Sequence, residues 1–508
     1  MTKAIDRRTF LVGAAGAAFA ALTGCDDGAR TTASRTTGPR PTVVGRTTTT
    51  QTVASTTTTV PPPTTLTDLQ RGIQGRVLQP THREYAHAKL LNNTAFDTTQ
   101  PKAIAQVANA QDVVQCIAFA TAHGLPIAVR SGGHSYVGAS TGPGIVIDLR
   151  ALNHVLMHTD GVHANIGPGA SLIEVYSTLA AEGRAVPGGS CPTVGFGGLA
   201  LGGGHGLTGR KFGLTCDVIT EIEIVTVDGS IRRASAVELP DLYWACRGGG
   251  GRLGIVTEFV VETQPLPAHA TTFVLQYDWS DTAAALGQWM QWISTVPDEV
   301  SAVARLETHP QLVIAGLHLG GRATTKKLIA PLTPMARRSS VNEQTFIDAM
   351  LLEAGCSHRS VEECQTLPRS TPFVAASHYF TASRAPDAIA SAMLAINEHA
   401  HVDGGGATIQ FDAYGGAINR VAPSATAFVH RDAACSAQYA SFIGSGEPAR
   451  HREWIRATRA AMEPFSNGEA YQNYNDAGLA DANSAYFGSN LPRLQAIQRR
   501  YDPTKIFA

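Results

Sequence analysis

Two side-chain types that act as covalent nucleophiles, a histidine and a cysteine, stand inside runs of glycine in this 508-residue chain. His134 lies in Arg130-Ser131-Gly132-Gly133-His134-Ser135-Tyr136-Val137-Gly138. Cys191 lies in a denser run, where nine of the 19 residues from Gly188 to Gly206 are glycine. A third run, Arg247-Gly248-Gly249-Gly250-Gly251-Arg252-Leu253-Gly254, follows Tyr243-Trp244. Bare backbone of this kind approaches a ligand closely and exposes N–H donors, which suits phosphate. For Gly132-Gly133 alone, a tight turn explains the pair equally well. The second run interleaves Val194, Phe196 and Leu201 where a linker would carry serine and charge, so it reads as an ordered loop wrapped around a ligand. It holds no Gly-x-x-x-x-Gly-Lys-Ser/Thr, which excludes a P-loop. No Gly-x-Gly-x-x-Gly follows a strand and opens a long helix, which disfavours a Rossmann dinucleotide site. His205 has no second ligand beside it at metal-binding spacing and reads as structural; no metal is expected.

The elements around these runs are legible in part. Gln111 to His123 has helical periodicity and stops at Gly124. Pro126–Val129 and Gly144–Leu149 read as short buried strands, and Glu258–Thr263 as a further strand. This order indicates an α/β or α+β domain. From about Pro265 to Pro464, helical stretches (Ala283–Ile293, Ala388–His399) alternate with strand-like runs (Leu312–Leu319, Ala407–Ala413), the pattern of a sheet covered by helices on one face. The alternation in Gln410-Phe411-Asp412-Ala413-Tyr414 puts Gln410, Asp412 and Tyr414 on one strand face.

Ahead of this body stands an address. Arg7-Arg8-Thr9-Phe10-Leu11 is a twin-arginine pattern, and the apolar run Val12–Leu22 is too short to span a membrane but fits a signal peptide. Leu22-Thr23-Gly24-Cys25 resembles a lipobox, which implies cleavage before Cys25 and its lipidation; an ordinary signal peptide is the alternative. Residues 26–80, rich in Thr and Pro, read as a disordered tether that holds the body off a membrane. Forty Lys and Arg against 41 Asp and Glu leave a net charge of -1, with no long-range pull toward nucleic acid or an anionic lipid surface. Contact with a membrane is therefore expected only through the N-terminal anchor. The 50 glycines, about 10% against a usual ~7%, concentrate in the loops above.

The three runs, in this order, resemble the FAD-binding domain of the vanillyl-alcohol-oxidase-type (PCMH-type) flavoproteins, and most closely the berberine-bridge-enzyme-like branch that includes oligosaccharide oxidases. The C-terminal Tyr471-Gln472-Asn473-Tyr474-Asn475-Asp476, Tyr486-Phe487-Gly488-Ser489-Asn490 and Tyr501-Asp502-Pro503 match the closing segment of that branch. The resemblance implies an α+β fold: an FAD-binding domain at 81–264, a substrate domain at 265–464 with an antiparallel sheet covered by helices, and a segment at 465–508 that returns to the FAD domain. It implies FAD bound twice, through His134 to the 8α-methyl and Cys191 to C6, for which imidazole and thiolate are suitable nucleophiles. Arg130, Ser131, Gly132, Gly133, Ser135 and Gly138 would line the pyrophosphate loop. Pro192, Thr193, Gly195, Gly198, Gly203, Gly204, Gly206 and Asp217 would line the isoalloxazine and ribityl region, and Gly254 and Val256 the adenine half. The family often has Asn-Phe where this chain has Arg252-Leu253, which removes any contact made by the Asn.

Oxidation of an alcohol by a flavin needs a base for the hydroxyl proton, hydride delivery to N5 and a pocket that orients the substrate. Tyr471 is the first choice for the base, helped by Asp412, with Tyr474 the alternative. Asn473 contacts the flavin, and Tyr136 and Gln410 line the substrate pocket; a solvated strand face is the alternative for Gln410. The leading expectation is an exported FAD-linked oxidase acting on a hydroxyl of a carbohydrate or other alcohol, with O₂ reduced to H₂O₂. Oxidative modification of a natural product, electron delivery to a membrane quinone or protein in place of O₂, and a flavin fold serving only as a surface binding protein are the other readings. Cys356 and Cys364, eight apart in an exported chain, are a candidate disulfide.

Overall fold

The computed structural model describes residues 62–308, 311–399, 401–402 and 404–507. Arg7, Arg8, Cys25 and the tether as far as Pro61 lie outside the described residues. The rest of the expected tether is folded. Thr65 caps helix α1 (Leu66–Gly72) by accepting from the Asp68 N–H. Leu66, Leu69 and Ile73, one apolar stripe within a Thr-rich stretch, pack into the first core, where Leu69 is fully buried. The body therefore begins about 15 residues before the boundary expected at 81, because composition hides a stripe of three residues.

Three sheets carry the molecule. The first joins β1 (Arg76–Leu78), β2 (Ala103–Gln106), β3 (Ile127–Arg130) and β4 (Ile145–Asp148) in the order β1-β2-β4-β3. β2, β4 and β3 run parallel, and helix α2 (Ala110–Ala122) makes the crossover from β2 to β3. Asn109 caps α2, and Gly124 at φ +58° terminates it, a turn residue that needs the left-handed region. The second sheet is antiparallel: β5 (Val155–Met157), β6 (His163–Ile166), β8 (Ile219–Val225), β9 (Ile231–Ser235) and β10 (Ile255–Glu262), in the order β5-β6-β10-β8-β9. Helix α3 (Leu172–Ala181), held by a Ser171/Glu174 capping box, follows β6. Short strands β7 (Arg184–Ala185) and β11 (Gln264–Pro265) pair beside it.

The third sheet has seven antiparallel strands: β12 (Ala270–Asp278), β13 (Val300–Glu307), β14 (Gln311–His318), β15 (Arg338–Gln344), β16 (Phe373–Phe380), β17 (Gly406–Ala413) and β18 (Cys435–Phe442), ordered β15-β12-β14-β13-β17-β18-β16. Helices α4 (Thr282–Trp292), α6 (Ile389–His399) and α7 (Pro448–Met462) cover one face, with α5 (Phe346–Glu353) lying elsewhere, between β12 and α3. Beneath the covering helices, Phe273, Leu275, Ala304, Leu306, Ile409, Phe411 and Tyr439 pack with Trp289 and Trp454. Each large side chain buried there contributes about 1.5–3 kcal/mol, which fixes the strand register and so decides which residues face the other way.

The C-terminal segment closes on the first half of the chain. In α8 (Leu491–Tyr501), Arg493 lies over the Trp244 ring at 4.1 Å, and Phe507 packs against the core of the first sheet. Cys356 and Cys364 are joined in a disulfide just after α5, with Cα atoms 5.9 Å apart. Among the described residues no helix is long and apolar enough to cross a membrane.

Candidate active site

The uncovered face of the third sheet meets the glycine loops, and the side chains expected to do chemistry converge there. Along β17 the buried apolar Ile409, Phe411 and Ala413 face the helices, so Gln410, Asp412 and the following Tyr414 project to the other side, as the alternation requires. β18 pairs with β17 through Gln410↔Gln438 and Asp412↔Ser436, which adds Ser436 and Gln438 to the same face. These two were missed from the sequence. The signal, polar residues alternating with small apolar ones in Cys435-Ser436-Ala437-Gln438-Tyr439, was present.

Asp412 is 2% exposed, and its carboxylate accepts from Gln410 Nε2 (2.7 Å), Tyr474 Oη (3.2 Å) and Ser436 Oγ (3.4 Å). Burial pushes the carboxyl above the usual carboxylate range, opposed by the nearby His205 ring and by these three bonds. Tyr474 stacks parallel to Tyr136, ring centroids 5.8 Å apart and 4° from coplanar, and Gln438 Nε2 donates to the Tyr136 oxygen at 2.6 Å. Burial raises both phenols above their ordinary value.

Tyr471 is placed differently from expectation. Its hydroxyl oxygen accepts from the backbone N–H groups of Gly204 (2.9 Å) and His205 (3.2 Å) and from Asn473 Nδ2 (3.0 Å). Burial pushes the phenol up to about 12, with those donors pulling it down. The carboxylate contact expected of Tyr471 belongs to Tyr474. The segment Tyr471-Gln472-Asn473-Tyr474 is a turn, closed by the Tyr474 N–H on the Tyr471 carbonyl, and it delivers the second tyrosine to Asp412.

The glycine loops supply the opposite wall. His134 and Thr193 share a hydrogen bond of 2.9 Å (Nε2 to Oγ1), which ties the first loop to the second two residues from Cys191. Cys191 is near enough to Tyr136 and Tyr176 to raise their pKa values. Burial lowers His134 to about 4, so the imidazole is neutral and nucleophilic at any working pH. Burial pushes the Cys191 thiol up to about 11, so the protein alone keeps it protonated, contrary to an activated thiolate. At Gly132 and Gly195 the reason for glycine is loop-on-loop contact: a Cβ on Gly132 would lie 2.2 Å from the Gly195 nitrogen. Gly204, at φ +87°, must turn its N–H toward Tyr471, and a Cβ there would lie 2.2 Å from Thr215 Oγ1. Gly203 and Gly206 are closed off by Phe428 and Gly188, whereas nothing lies within 4 Å of a Cβ on Gly198.

Several expected cofactor contacts are committed to protein. Arg130, 1% exposed, donates to the carbonyls of Ala88 and Ser140 and lies 3.9 Å from Asp148, so its side chain clamps the loop base. Ser131 Oγ donates to the Pro168 carbonyl, Ser135 Oγ caps the Ala139 N–H, and Gly138 lies against the Phe96 ring. Asp217 makes a two-point ion pair with Arg431 (2.6 and 2.9 Å), an arginine the sequence reading missed because 214 residues separate them. Pro192 offers its carbonyl to the Ile173 N–H, Val256 points into a core, and Gly254, at φ +153°, crosses the Val225 carbonyl. Asn473 also donates to the Leu199 carbonyl at 3.0 Å. Arg252, at the family's Asn position, stacks on Phe487 at 4.8 Å and ties the third loop to the C-terminal segment. The His205 ring is held by the Ala413 carbonyl and by stacking on Tyr414, centroids 4.6 Å apart.

The arrangement offers a neutral imidazole, a thiol and closely apposed glycine backbone on one side, and a tyrosine–carboxyl pair among hydrogen-bonding amides on the other. A flavin dinucleotide fits this donor set. Residues 101–235 match the family described as FAD binding domain, and residues 470–508 the family described as berberine and berberine like. A xylooligosaccharide oxidase of Thermothelomyces thermophilus is 31% identical over 432 residues, 80% of this chain and 86% of the relative. Among solved structures, a BBE-like protein of Physcomitrella patens superposes with a TM-score of 0.82 at 28% identity, covering 88% of this chain and 98% of its own. The glucooligosaccharide oxidase of Acremonium strictum, described with a 6-S-cysteinyl, 8α-N1-histidyl FAD, superposes with a TM-score of 0.77 at 26% identity, covering 85% and 95%.

Proposed function

From the premise that the chain belongs to the berberine-like FAD-linked oxidoreductases, we propose that it is an exported oxidase of carbohydrate hydroxyl groups, with oligosaccharides its best substrates and O₂ its electron acceptor. The observation that carries this reading is the pair of half-buried Tyr474 and buried Asp412 beside the Tyr136 ring, flanked by Gln410 and Gln438. Bound FAD supplies the acceptor for the hydride that leaves the hydroxyl-bearing carbon. The protein supplies the proton path and the grip. A substrate hydroxyl set against Tyr474 gives its proton to the phenol oxygen, while the phenol proton passes 3.2 Å to Asp412. The raised pKa of Asp412 makes it a stronger base than an exposed carboxylate. Gln410, Gln438 and the Tyr136 face orient a ring that carries several hydroxyls. Tyr471 and Asn473 brace the second glycine loop against the C-terminal segment, which sets the position of the cofactor without taking the proton.

His134 and Cys191 are the residues that would hold FAD covalently, a reading supported by the His134–Thr193 bond that ties their two loops together and by the doubly attached FAD of the glucooligosaccharide oxidase. Export rests on Arg7-Arg8, and anchoring on Cys25. Peroxide release measured across monosaccharides, xylo-, gluco- and chito-oligosaccharides and simple alcohols tests the function. Turnover that rises from monomer to oligomer is expected. Flavin bleaching by sugars without peroxide would remove O₂ as acceptor, and turnover of simple alcohols alone would remove the carbohydrate.

A further inference from the structure

The hairpin between β5 and β6, at the edge of the second sheet, gathers side chains that the oxidation does not use. The ladder that pairs Met157 with Ala164 continues one step, where the His158 N–H donates to the His163 carbonyl at 2.8 Å. Directly opposed residues project to one face of a hairpin, and the two imidazole centroids are 6.0 Å apart. Asp160 rises from the turn between them. Its Oδ1 accepts from the N–H groups of Val162 (2.8 Å) and His163 (3.0 Å), and its Oδ2 lies 2.8 Å from His163 Nδ1. One ligating atom from each of His158, Asp160 and His163 falls within 4.8 Å of the other two. An ion held at ~2.0–2.2 Å from nitrogen and oxygen ligands separates those ligands by roughly 3–4 Å, so modest side-chain rotation closes the set.

Two oxygens flank the trio. Asn165, two residues along β6 from His163 and hence on its face, bonds His158 Nε2 through its amide oxygen, the kind of outer contact that orients a ligating imidazole. On the other side, the register of β10 sets Glu262 directly opposite His163. The sequence hides the site, because His-x-Asp-x-x-His becomes a ligand set only when a two-stranded turn opposes its ends.

We propose that this hairpin binds one divalent transition-metal ion of borderline softness, such as Zn²⁺, Cu²⁺ or Ni²⁺, through His158, His163 and Asp160. A two-nitrogen, one-oxygen set selects these over hard cations such as Ca²⁺ and Mg²⁺. Bound there, the ion clips the free edge of the second sheet.

The test is calorimetric titration of ZnSO₄ into full-length, flavin-loaded protein freed of metal with EDTA. Wild type takes up one ion per chain with micromolar affinity. Asp160→Asn weakens that uptake at least tenfold, and His158→Gln with His163→Gln abolishes it. His154→Gln leaves it unchanged, because four strand residues, ~13 Å, separate His154 from His158. Flavin absorbance reports whether each variant is folded. If the double variant does not fold, the Cu²⁺ paramagnetic resonance spectrum of wild type decides: two coupled imidazole nitrogens support the site, and none overturn it. No stoichiometric uptake by wild type, or equal uptake by a folded double variant, also overturns it.

Discussion

Replacing Asp412 by asparagine separates catalysis from stability more sharply than any other change to this site. The side chain keeps its size, Tyr474 and Ser436 keep an oxygen to donate to, and Gln410 can turn its amide to match. Only the capacity to take a proton is lost. Tyr474 stands 3.2 Å from the carboxylate, inside the range for direct transfer, and a positioned base contributes ~10²–10⁴ in rate. We expect kcat to fall about 10³-fold, about 4 kcal/mol of barrier at 1.36 kcal/mol per tenfold. Stability should move the other way. Burial raises the carboxyl in the folded state above its unfolded value, so the folded state binds the proton more tightly, and ionising Asp412 as pH rises costs stability. At neutral pH the amide removes that cost, so the variant should melt at or above the wild-type temperature. In wild type, kcat/KM should fall as pH drops through the raised Asp412 pKa, and the variant should lose that acid limb. Anaerobic stopped-flow reduction of the flavin by a saturating oligosaccharide measures the chemical step, and a thermal melt supplies the other arm. A variant that keeps more than half the wild-type reduction rate with an unchanged acid limb refutes the proton path through Tyr474 to Asp412.

Other expectations follow from the same geometry. Tyr471→Phe leaves the N–H groups of Gly204 and His205 unpaired in a buried loop, which should cost about 1–3 kcal/mol of stability while reducing flavin reduction far less than Asp412→Asn; equal losses in reduction would return the base to Tyr471. His134→Ala should still retain flavin through acid precipitation by way of Cys191, and only the variant lacking both should release it; free flavin from denatured wild type would rule out covalent attachment. Glu353, fully buried with neither carboxyl oxygen hydrogen-bonded, is pushed up to about 8 by burial. Its folded pKa is raised, so stability falls as pH climbs from about 4.5 to 8, and Glu353→Gln should remove that slope and gain roughly 3–5 kcal/mol at pH 9, read from denaturant melts across pH.

The amino-acid sequence determined which loops would be bare and that a histidine and a cysteine, His134 and Cys191, would stand in them. Gly132, Gly195 and Gly204 stand out in a row of letters because only glycine tolerates the contacts and dihedrals there, and such demands leave a local mark. Strand alternation in 410–414 likewise named Asp412 and its face, since a period of two is a local property. What crosses the chain was not legible. The Asp217–Arg431 pair, the Gln438–Tyr136 bond and the choice of Tyr474 over Tyr471 as the partner of Asp412 join residues 62 to 302 apart, and nothing local to either partner records the other. For Arg130 and Asp217 the sequence shows a charged residue but not the carbonyls and counter-charge that it meets in the fold. The start of the body was misplaced for a related reason: three apolar residues in a Thr-rich stretch become a helix only when a core exists to receive Leu69. Local chemistry thus fixed the kinds of group the site would hold. Tertiary packing decided which of them meet, because only the register of the seven-stranded sheet and the docking of the C-terminal segment bring distant parts of the chain within hydrogen-bond distance.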